Sequence, residues 1–207
     1  MLIKRIVVGA LETNCYLLSC KQSQETVIID PGAESKRIVK EITDLKLKPK
    51  MIILTHGHGD HITAVNDLKE YYQIPLYVHK EEEKILLNSE NSFVHLLTGK
   101  DINFTIDKYL EDGEIIKLGS LIIKIIHTPG HTSGGISLNC NNVIFTGDTL
   151  FKGSIGRTDL PGGSLQEILN SIKTKLLTYP DETIIYPGHG SSSTIGKEKE
   201  SNLFLGI

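Results

Sequence analysis

Long apolar runs are missing from the 207-residue sequence, which contains no stretch of about 18 consecutive apolar residues. A membrane-spanning helix needs about 20 such residues, so no membrane span is expected. The N-terminal residues Met1 to Arg5 are typical of a short strand. A secretory signal peptide would need a longer apolar segment and a small-residue cleavage site. We therefore expect a cytoplasmic protein without a membrane partner.

A marked excess of charge is also missing, since 22 Lys and Arg residues oppose 25 Asp and Glu residues, for a formal net charge of -3. This balance gives no electrostatic reason to expect binding to nucleic acid or to anionic lipid. The hydrophobic content of 39% is close to that of an average globular domain, so we expect one domain over residues 1–207. Its partners are expected to be a small-molecule substrate or further copies of the chain.

Cysteines are few, and Cys15, Cys20 and Cys140 form no C-x-x-C pair. Side chains alternate between the two faces of a strand, so Cys15 and Cys20 would face opposite sides of a sheet in an extended segment. We expect three reduced, partly buried thiols.

Apolar periodicity predicts two similar halves, each with strands followed by helices. In the first half, strands are predicted at Ile3 to Val8, Cys15 to Leu18, Thr26 to Ile29, Met51 to Leu54 and Leu76 to Val78, and helices at Ser35 to Leu45, Ile62 to Tyr72 and Glu81 to Leu87. Residues 88–104 are predicted to be irregular. In the second half, strands are predicted at Glu114 to Lys117, Leu121 to His127, Gly135 to Leu138, Val143 to Phe145 and Thr183 to Tyr186, and helices at Ser164 to Leu177 and Gly196 to Asn202. This order predicts two sheets packed face to face with helices on both outer sides.

One short loop after a predicted strand contains four candidate metal ligands, namely His56, His58, Asp60 and His61. His56 and His58 are two residues apart, so an extended loop places them on the same side. The glycines between the ligands let the backbone bend, so that Asp60 and His61 can reach a second position. The loop therefore predicts one metal pocket or two adjoining ones.

Three further candidate ligands, His131, Asp148 and His189, follow predicted strands, and each stands beside a glycine. Imidazole nitrogen and carboxylate oxygen suit Zn²⁺, Fe and Mn²⁺, and a catalytic site also leaves one position open for water. A single histidine is more often a surface or core residue with a hydrogen-bond partner. The combined set favours a metal centre.

The combined pattern His56-x-His58-x-Asp60-His61 with the three later ligands resembles the signature of the metallo-β-lactamase superfamily. The resemblance implies an α+β fold, the four-layer αββα sandwich, with two mixed sheets face to face and helices on both outer sides. It implies one metal site of His56, His58 and His131, a second site of Asp60, His61 and His189, and Asp148 bridging them. Two divalent metal ions are expected, zinc first, with iron or manganese as the alternatives.

The segments Gly147 to Phe151 and Gly153 to Asp159 resemble the glyoxalase II group, especially its short single-domain bacterial hydroxyacylglutathione hydrolase-like members. This resemblance implies a thioesterase that cleaves S-(2-hydroxyacyl)glutathione or a related thioester, with Asp60 and Asp148 as catalytic carboxylates. In such a site two metal ions activate a shared water as hydroxide. No Ser-His-Asp pattern competes with this chemistry.

Two residues outside the ligand set are expected to support the site. Arg157 stands where glyoxalase II enzymes have a lysine that contacts glutathione, so it is predicted to bind a substrate carboxylate; the alternative is an ion pair with Asp159. Asp30 ends a predicted strand and is expected to hold the ligand loop by hydrogen bonds, or simply to form a turn. His79 and His127 are predicted to pack at strand ends, and the charged run Lys80 to Lys84 to be a solvated helix face.

Other functions remain to be distinguished. Flavodiiron proteins carry a glutamate where His58 stands, and the common zinc β-lactamases lack a histidine at position 61 or a carboxylate at position 148, so both are set aside. A persulfide dioxygenase with one Fe on His56, His131 and Asp148 is the second enzyme candidate, because it shares the Gly-Arg-Thr-Asp run. A metal-stabilised binding module is the third; open Gly-rich loops argue against it because structural zinc sites are closed.

Overall fold

The computed structural model of the chain describes residues 1–88, 92–99 and 102–206. Its first sheet has six strands in the spatial order β1-β2-β3-β4-β5-β6. β1, β2 and β3 are antiparallel neighbours, whereas β3, β4, β5 and β6 are parallel. The strands are β1 Leu2–Val8, β2 Thr13–Ser19, β3 Glu25–Ile29, β4 Lys48–Ile53, β5 Leu76–His79 and β6 Lys108–Leu110.

The second sheet also has six strands, in the order β14-β13-β10-β9-β8-β7. Only the β10–β13 pair among these described strands is parallel. The strands are β7 Ile115–Leu118, β8 Leu121–His127, β9 Ile136–Cys140, β10 Val143–Gly147, β13 Ile184–Pro187 and β14 Ser193–Thr194. A separate two-stranded hairpin follows β10, with β11 Leu150–Phe151 and β12 Ser154–Ile155.

Helices lie between and after the strands. They are α1 Ser35–Asp44, α2 Gly59–Ile62, α3 Val65–Tyr72, α4 Glu83–Leu86, α5 Val94–Thr98, α6 Leu165–Ser171 and α7 Ile195–Ser201. A 3₁₀ turn, Lys80–Glu82, precedes α4, and a π-helical turn, Ile172–Leu176, continues α6. No helix within the described ranges is long and apolar enough to cross a membrane.

Three layers of buried apolar side chains separate the four layers of structure. Leu17 faces the layer between the first sheet and its helices, while the adjacent Leu18 faces the layer between the two sheets. A third layer, which includes Ile144 and Ile168, lies between the second sheet and α6 and α7. Both sheets are covered on both faces, which confirms the predicted α+β four-layer sandwich of two mixed sheets. Cys15 and Cys20 fall in different layers, as expected, and all three cysteines are free and buried.

The structure corrects some of the predicted helices. The helix predicted over Ile62 to Tyr72 is interrupted, because the Ala64 N–H donates to Pro31 O at 3.0 Å and the Thr63 hydroxyl donates to Gly32 O. Gly59–Ile62, which includes Asp60 and His61, therefore forms a separate short helix. Residues 88–104 were predicted to be irregular; residues 89–91, 100 and 101 lie outside the described ranges, and the rest includes α5.

His79 and His127 pack against each other at the ends of β5 and β8, with ring centroids 4.0 Å apart and nearly parallel planes. The prediction that both are strand-end packing residues is therefore confirmed. Burial, followed by the charge of His127, lowers the pKa of His79 to about 4.

Candidate metal centre

The candidate ligands lie just beyond the carboxyl ends of strands. The loop that contains His56 follows β4, and His131, Asp148 and His189 follow β8, β10 and β13. Polar sites in sheets of this kind form beyond the carboxyl ends of the strands, where the backbone leaves the sheet. Both sheets therefore deliver ligands to one edge of the sandwich.

The structure brings all seven predicted ligands together, six of them in two adjoining clusters and Asp148 between these. The first cluster is His56, His58 and His131, whose ligand atoms lie within 4.8 Å of one another; each side chain is buried. The second cluster is Asp60, His61 and His189, with the same spacing.

Asp148 lies between the two clusters. Its Oδ2 is 3.7 Å from His131 Nε2 in the first cluster and 3.5 Å from His189 Nε2 in the second. Its Oδ1 is 3.5 Å from His61 Nε2. One carboxylate therefore faces both groups of ligands.

Buried polar atoms in these clusters lack hydrogen-bond partners. Among the described residues, His56 Nε2, His58 Nε2 and Asp148 Oδ1 are buried and unpaired. A buried polar atom without a partner costs about 1–3 kcal/mol, so such atoms normally have one. Lone pairs on imidazole nitrogen and carboxylate oxygen are the donors that Zn²⁺, Fe and Mn²⁺ accept. The residues present therefore fit a divalent metal centre.

Hydrogen bonds hold the ligand rings with one nitrogen directed to the clusters. His131 Nδ1 lies 2.8 Å from Arg157 O and His189 Nδ1 lies 3.0 Å from Leu11 O, so each Nδ1 donates to a carbonyl. The Nε2 atoms face the clusters, where His131 Nε2 lies 2.9 Å from His58 Nδ1 and His189 Nε2 lies 3.3 Å from His61 Nε2. His61 Nδ1 lies 3.0 Å from Asp30 Oδ2. When the three rings are neutral, this arrangement places the proton on Nδ1 in each.

Asp30 is buried and is fixed by the ligand loop itself. Its Oδ1 accepts the Thr55 N–H at 2.7 Å and its Oδ2 accepts the Thr55 hydroxyl at 2.6 Å. Asp30 also lies within 4.8 Å of ligand atoms of His56 and His61. Because both of its oxygens already accept hydrogen bonds, we assign it to holding the loop and His61, which leaves its predicted role in place.

The pKa values of the histidines shift in opposite directions in the two clusters. Burial, and then the neighbouring histidine charges, lowers the pKa of His58 to about 3 and puts that of His56 well below its usual range. Burial alone would also lower the pKa of His61, but Asp60, Asp148 and Asp30 raise it to about 10. Neutral imidazoles are what a metal requires as ligands. The carboxylates around His61 attract positive charge.

The loop that carries His189 comes from the second sheet but is held by the first. The Asn14 side chain donates to Pro187 O and to Gly190 O, both at 2.9 Å. The Tyr16 hydroxyl also donates to Pro187 O at 2.7 Å. β2 therefore fixes the position of the last ligand.

Glu82 was missed by the sequence analysis, which predicted the run Lys80 to Lys84 to be a solvated face. Its carboxylate is buried and accepts hydrogen bonds from Gly57 N at 2.8 Å, Thr132 Oγ1 at 2.8 Å and Gly134 N at 2.9 Å. Burial raises the pKa of Glu82 to about 7, although the three hydrogen bonds oppose that shift. Glu82 thereby joins the loop of His56 and His58 to the loop of His131.

We expect the replacement of Glu82 by Gln to weaken metal binding by about 10- to 100-fold, the usual effect of losing an outer hydrogen-bond partner. Gln offers one acceptor oxygen, so it cannot accept from both Gly57 N and Gly134 N, and one buried N–H loses its partner. Competition with a chromophoric chelator measures the affinity. Glu81→Gln is the matched control, because Glu81 is exposed. Equal affinities of the two variants would contradict the role of Glu82.

A cleft of about 410 Å³ opens above the clusters. Its floor is formed by His58, Asp60, Asp148 and His189, and its walls by Leu11, Phe93, Leu96, Leu97, Arg157 and Leu160. Arg157 therefore reaches the cleft, and its contact with a substrate stays a prediction. Its guanidinium, however, donates to both carboxylate oxygens of Asp159, at 2.9 and 2.8 Å, which is the ion pair foreseen as the alternative.

Comparison with known proteins agrees with this site. The family model of the metallo-β-lactamase superfamily matches residues 8–189, which include all seven candidate ligands. The chain belongs to the metallo-β-lactamase superfamily. It is 41% identical over 209 residues to hydroxyacylglutathione hydrolase GloC of Haemophilus influenzae, and the match covers 99% of this chain and 98% of that protein.

Two solved structures are also similar over nearly their whole length. The B3 metallo-β-lactamase BLEG-1 has a TM-score of 0.92 at 38% identity, with 99% of each chain covered. TTHA1623, solved in a di-iron-bound form, has a TM-score of 0.86 at 33% identity, with 98% of this chain and 100% of that chain covered. The chain is thus an enzyme of the metallo-β-lactamase superfamily. The likeness to BLEG-1 means that β-lactam hydrolysis, set aside on His61 and Asp148, has to be assayed.

Proposed function

We propose that the chain is a dinuclear metallohydrolase that cleaves thioesters, in the manner of a glyoxalase II. The observation that carries the dinuclear part is the position of Asp148 between two complete ligand clusters. The thioester part is supported by the similarity to hydroxyacylglutathione hydrolase GloC, and the di-iron form of TTHA1623 supports two metals. A small-molecule thioester is the proposed partner.

The chain's own residues would divide the work as follows. His56, His58 and His131 would hold one divalent ion, Asp60, His61 and His189 the other, and Asp148 both. Two such ions lower the pKa of a bound water and polarise the carbonyl of a substrate.

Asp60 and Asp148 are the carboxylates that a substrate in the cleft would meet, because both line its floor. The Thr13 hydroxyl donates to Asp60 Oδ2 at 2.8 Å and fixes that side chain. In this position Asp60 would hold its ion and could orient the attacking water by accepting a hydrogen bond from it. His61 and His189 keep the pKa of Asp60 below its usual range against the effect of burial, so the acceptor is ionised at neutral pH.

Two metal ions per chain are expected after reconstitution with Zn²⁺, because seven ligands exceed what a single tetrahedral site uses. Elemental analysis by mass spectrometry, together with protein quantification, measures the ratio. Reconstitution with Fe²⁺ or Mn²⁺ in parallel identifies the metal that supports the highest turnover. A ratio that never rises above one would contradict the dinuclear proposal.

The reaction itself is tested with the zinc-loaded protein under strict anaerobiosis and S-lactoylglutathione as substrate. Hydrolysis is expected at the same rate with and without O₂, because water and not oxygen is the attacking reagent. A persulfide dioxygenase would instead consume O₂ with glutathione persulfide in its iron form and lose that activity with Zn²⁺, which has no redox chemistry. A cephalosporin assayed in parallel tests the activity for which BLEG-1 is named. Turnover of the persulfide or of the cephalosporin, with no thioester cleaved, would refute the proposal.

A further inference from the structure

Exposed leucines gather on the walls of the cleft above the metal centre. Leu11, Leu96 and Leu97 are 55%, 80% and 44% exposed, and all three line this cleft. Scattered exposed leucines need no explanation, but apolar side chains grouped in a concave wall over a polar floor are typical of a ligand site. The walls therefore offer a surface that water solvates poorly and an apolar ligand would cover.

The leucine wall is attached to the ligand loop itself. A Cβ added at Gly59, between His58 and Asp60, would lie 2.8 Å from Val94 Cα and 3.0 Å from Leu97 Cδ1, so α5 rests directly on the loop backbone. The Phe93 ring, just before α5, lies 5.9 Å from the His58 ring. An apolar group that flanks the reacting carbon of a ligand over the clusters would therefore lie against α5.

The charged groups in the cleft also favour an uncharged ligand. Of the described residues that line it, Arg157 is the one that carries a permanent positive charge, and Asp159 engages its guanidinium through two hydrogen bonds. A substrate carboxylate would have to replace Asp159 and would also approach Asp60 and Asp148. Glutathione carries two carboxylates, so these walls offer it little that is specific.

We propose that the cleft selects thioesters with an apolar, uncharged chain beside the scissile bond, and that Leu11, Leu96 and Leu97 determine this preference. The inference rests on the proposed thioesterase function and narrows its substrate class. The apolar chain can belong to the acyl or to the thiol part, since both flank the carbon that reacts.

Four thioesters test the inference with the reconstituted protein: lactoyl and hexanoyl esters, each of glutathione and of the uncharged thiol N-acetylcysteamine. We expect kcat/KM for the hexanoyl N-acetylcysteamine ester to exceed that for S-lactoylglutathione by about 10-fold or more, because several methylenes leave water on binding. Comparison of hexanoyl glutathione with lactoyl N-acetylcysteamine shows whether the acyl part or the thiol part lies against the leucines.

Leu96→Ser is expected to lower kcat/KM for the hexanoyl N-acetylcysteamine ester by about 5- to 10-fold, mainly through KM, because uniform binding is lost. It should change kcat/KM for S-lactoylglutathione by less than about twofold, since that ester covers little of the leucine. Leu203→Ser is the matched control, because Leu203 is 90% exposed and does not line the cleft. Unchanged metal content in both variants would show that a change in kcat/KM arises from substrate binding and not from loss of metal.

A preference for S-lactoylglutathione, with KM raised several-fold by Arg157→Ala and unchanged by Leu96→Ser, would overturn this inference and leave the thioesterase intact. If none of the four esters is hydrolysed by protein with two metals bound, the thioesterase proposal fails, and the substrate class falls with it.

Discussion

Replacing Asp148 with Asn is expected to lower kcat/KM for thioester hydrolysis by about 1,000-fold and to reduce the bound metal. The carboxylate faces both clusters, with Oδ1 3.5 Å from His61 Nε2 and Oδ2 3.7 Å from His131 Nε2. A neutral amide of the same shape is a poor ligand, so charge stabilisation worth several kcal/mol is lost. At about 1.4 kcal/mol per tenfold change in rate, this corresponds to roughly three factors of ten. Steady-state kinetics and elemental analysis of the purified variant measure both effects.

Asp30→Asn is the matched control for that variant, since it removes a carboxylate charge from a neighbouring buried position. Asp30 bonds to Thr55 and to His61 Nδ1, and we assign it to orienting the loop. Its replacement is expected to lower kcat/KM by about 10- to 100-fold. If the two variants lost activity equally, the distinction between a shared ligand and a residue that orients another ligand would be wrong.

Gly188→Ala is expected to remove metal binding while changing a single hydrogen for a methyl group. The new Cβ would overlap Asp148 Oδ1 and would lie 2.8 Å from His61 Cε1, so it displaces a residue that faces both clusters. Overpacking of this kind costs about 1–3 kcal/mol of stability, which leaves a folded protein. We therefore expect a modest fall in Tm and a fall in metal affinity of more than about 100-fold.

Gly190→Ala, two residues along the same loop, separates this steric effect from backbone strain. Gly190 has a φ of +72°, and a Cβ there would have no neighbour within 4 Å. Alanine in the left-handed region costs about 1–2 kcal/mol of stability. The fall in Tm should therefore be similar to that of Gly188→Ala, while metal binding is retained. Equal metal loss in both variants would show that the loop backbone, and not the contact with Asp148, is responsible.

The candidate ligands could be picked out from the sequence because each carries its own local signal. His131, Asp148 and His189 each follow a strand and stand beside a glycine, and the structure gathers them with the loop of His56. The two sheets could also be predicted from the sequence. Adjacent apolar residues in a strand, such as Leu17 and Leu18, point to opposite faces, so each sheet needs an apolar layer on both sides.

The missed features depend on residues that are distant in the chain. Glu82 stands in a run of three glutamates and looks solvated, but its hydrogen-bond donors are residues 57, 132 and 134. The helix break before Val65 arises because Ala64 donates to Pro31. The periodicity of a short window does not contain these partners, so only the folded chain reveals them.

The hydrogen bonds from β2 to the His189 loop bear on whether the chain folds before or after it binds metal. A zinc finger has its ligands close together in sequence, so the ion can drive its folding. Here the unfolded chain offers only the short segment from His56 to His61, and the remaining ligands arrive when the second sheet docks on Asn14 and Tyr16. We therefore expect folding to precede tight metal uptake, so that the apoprotein is already folded when it binds a divalent ion.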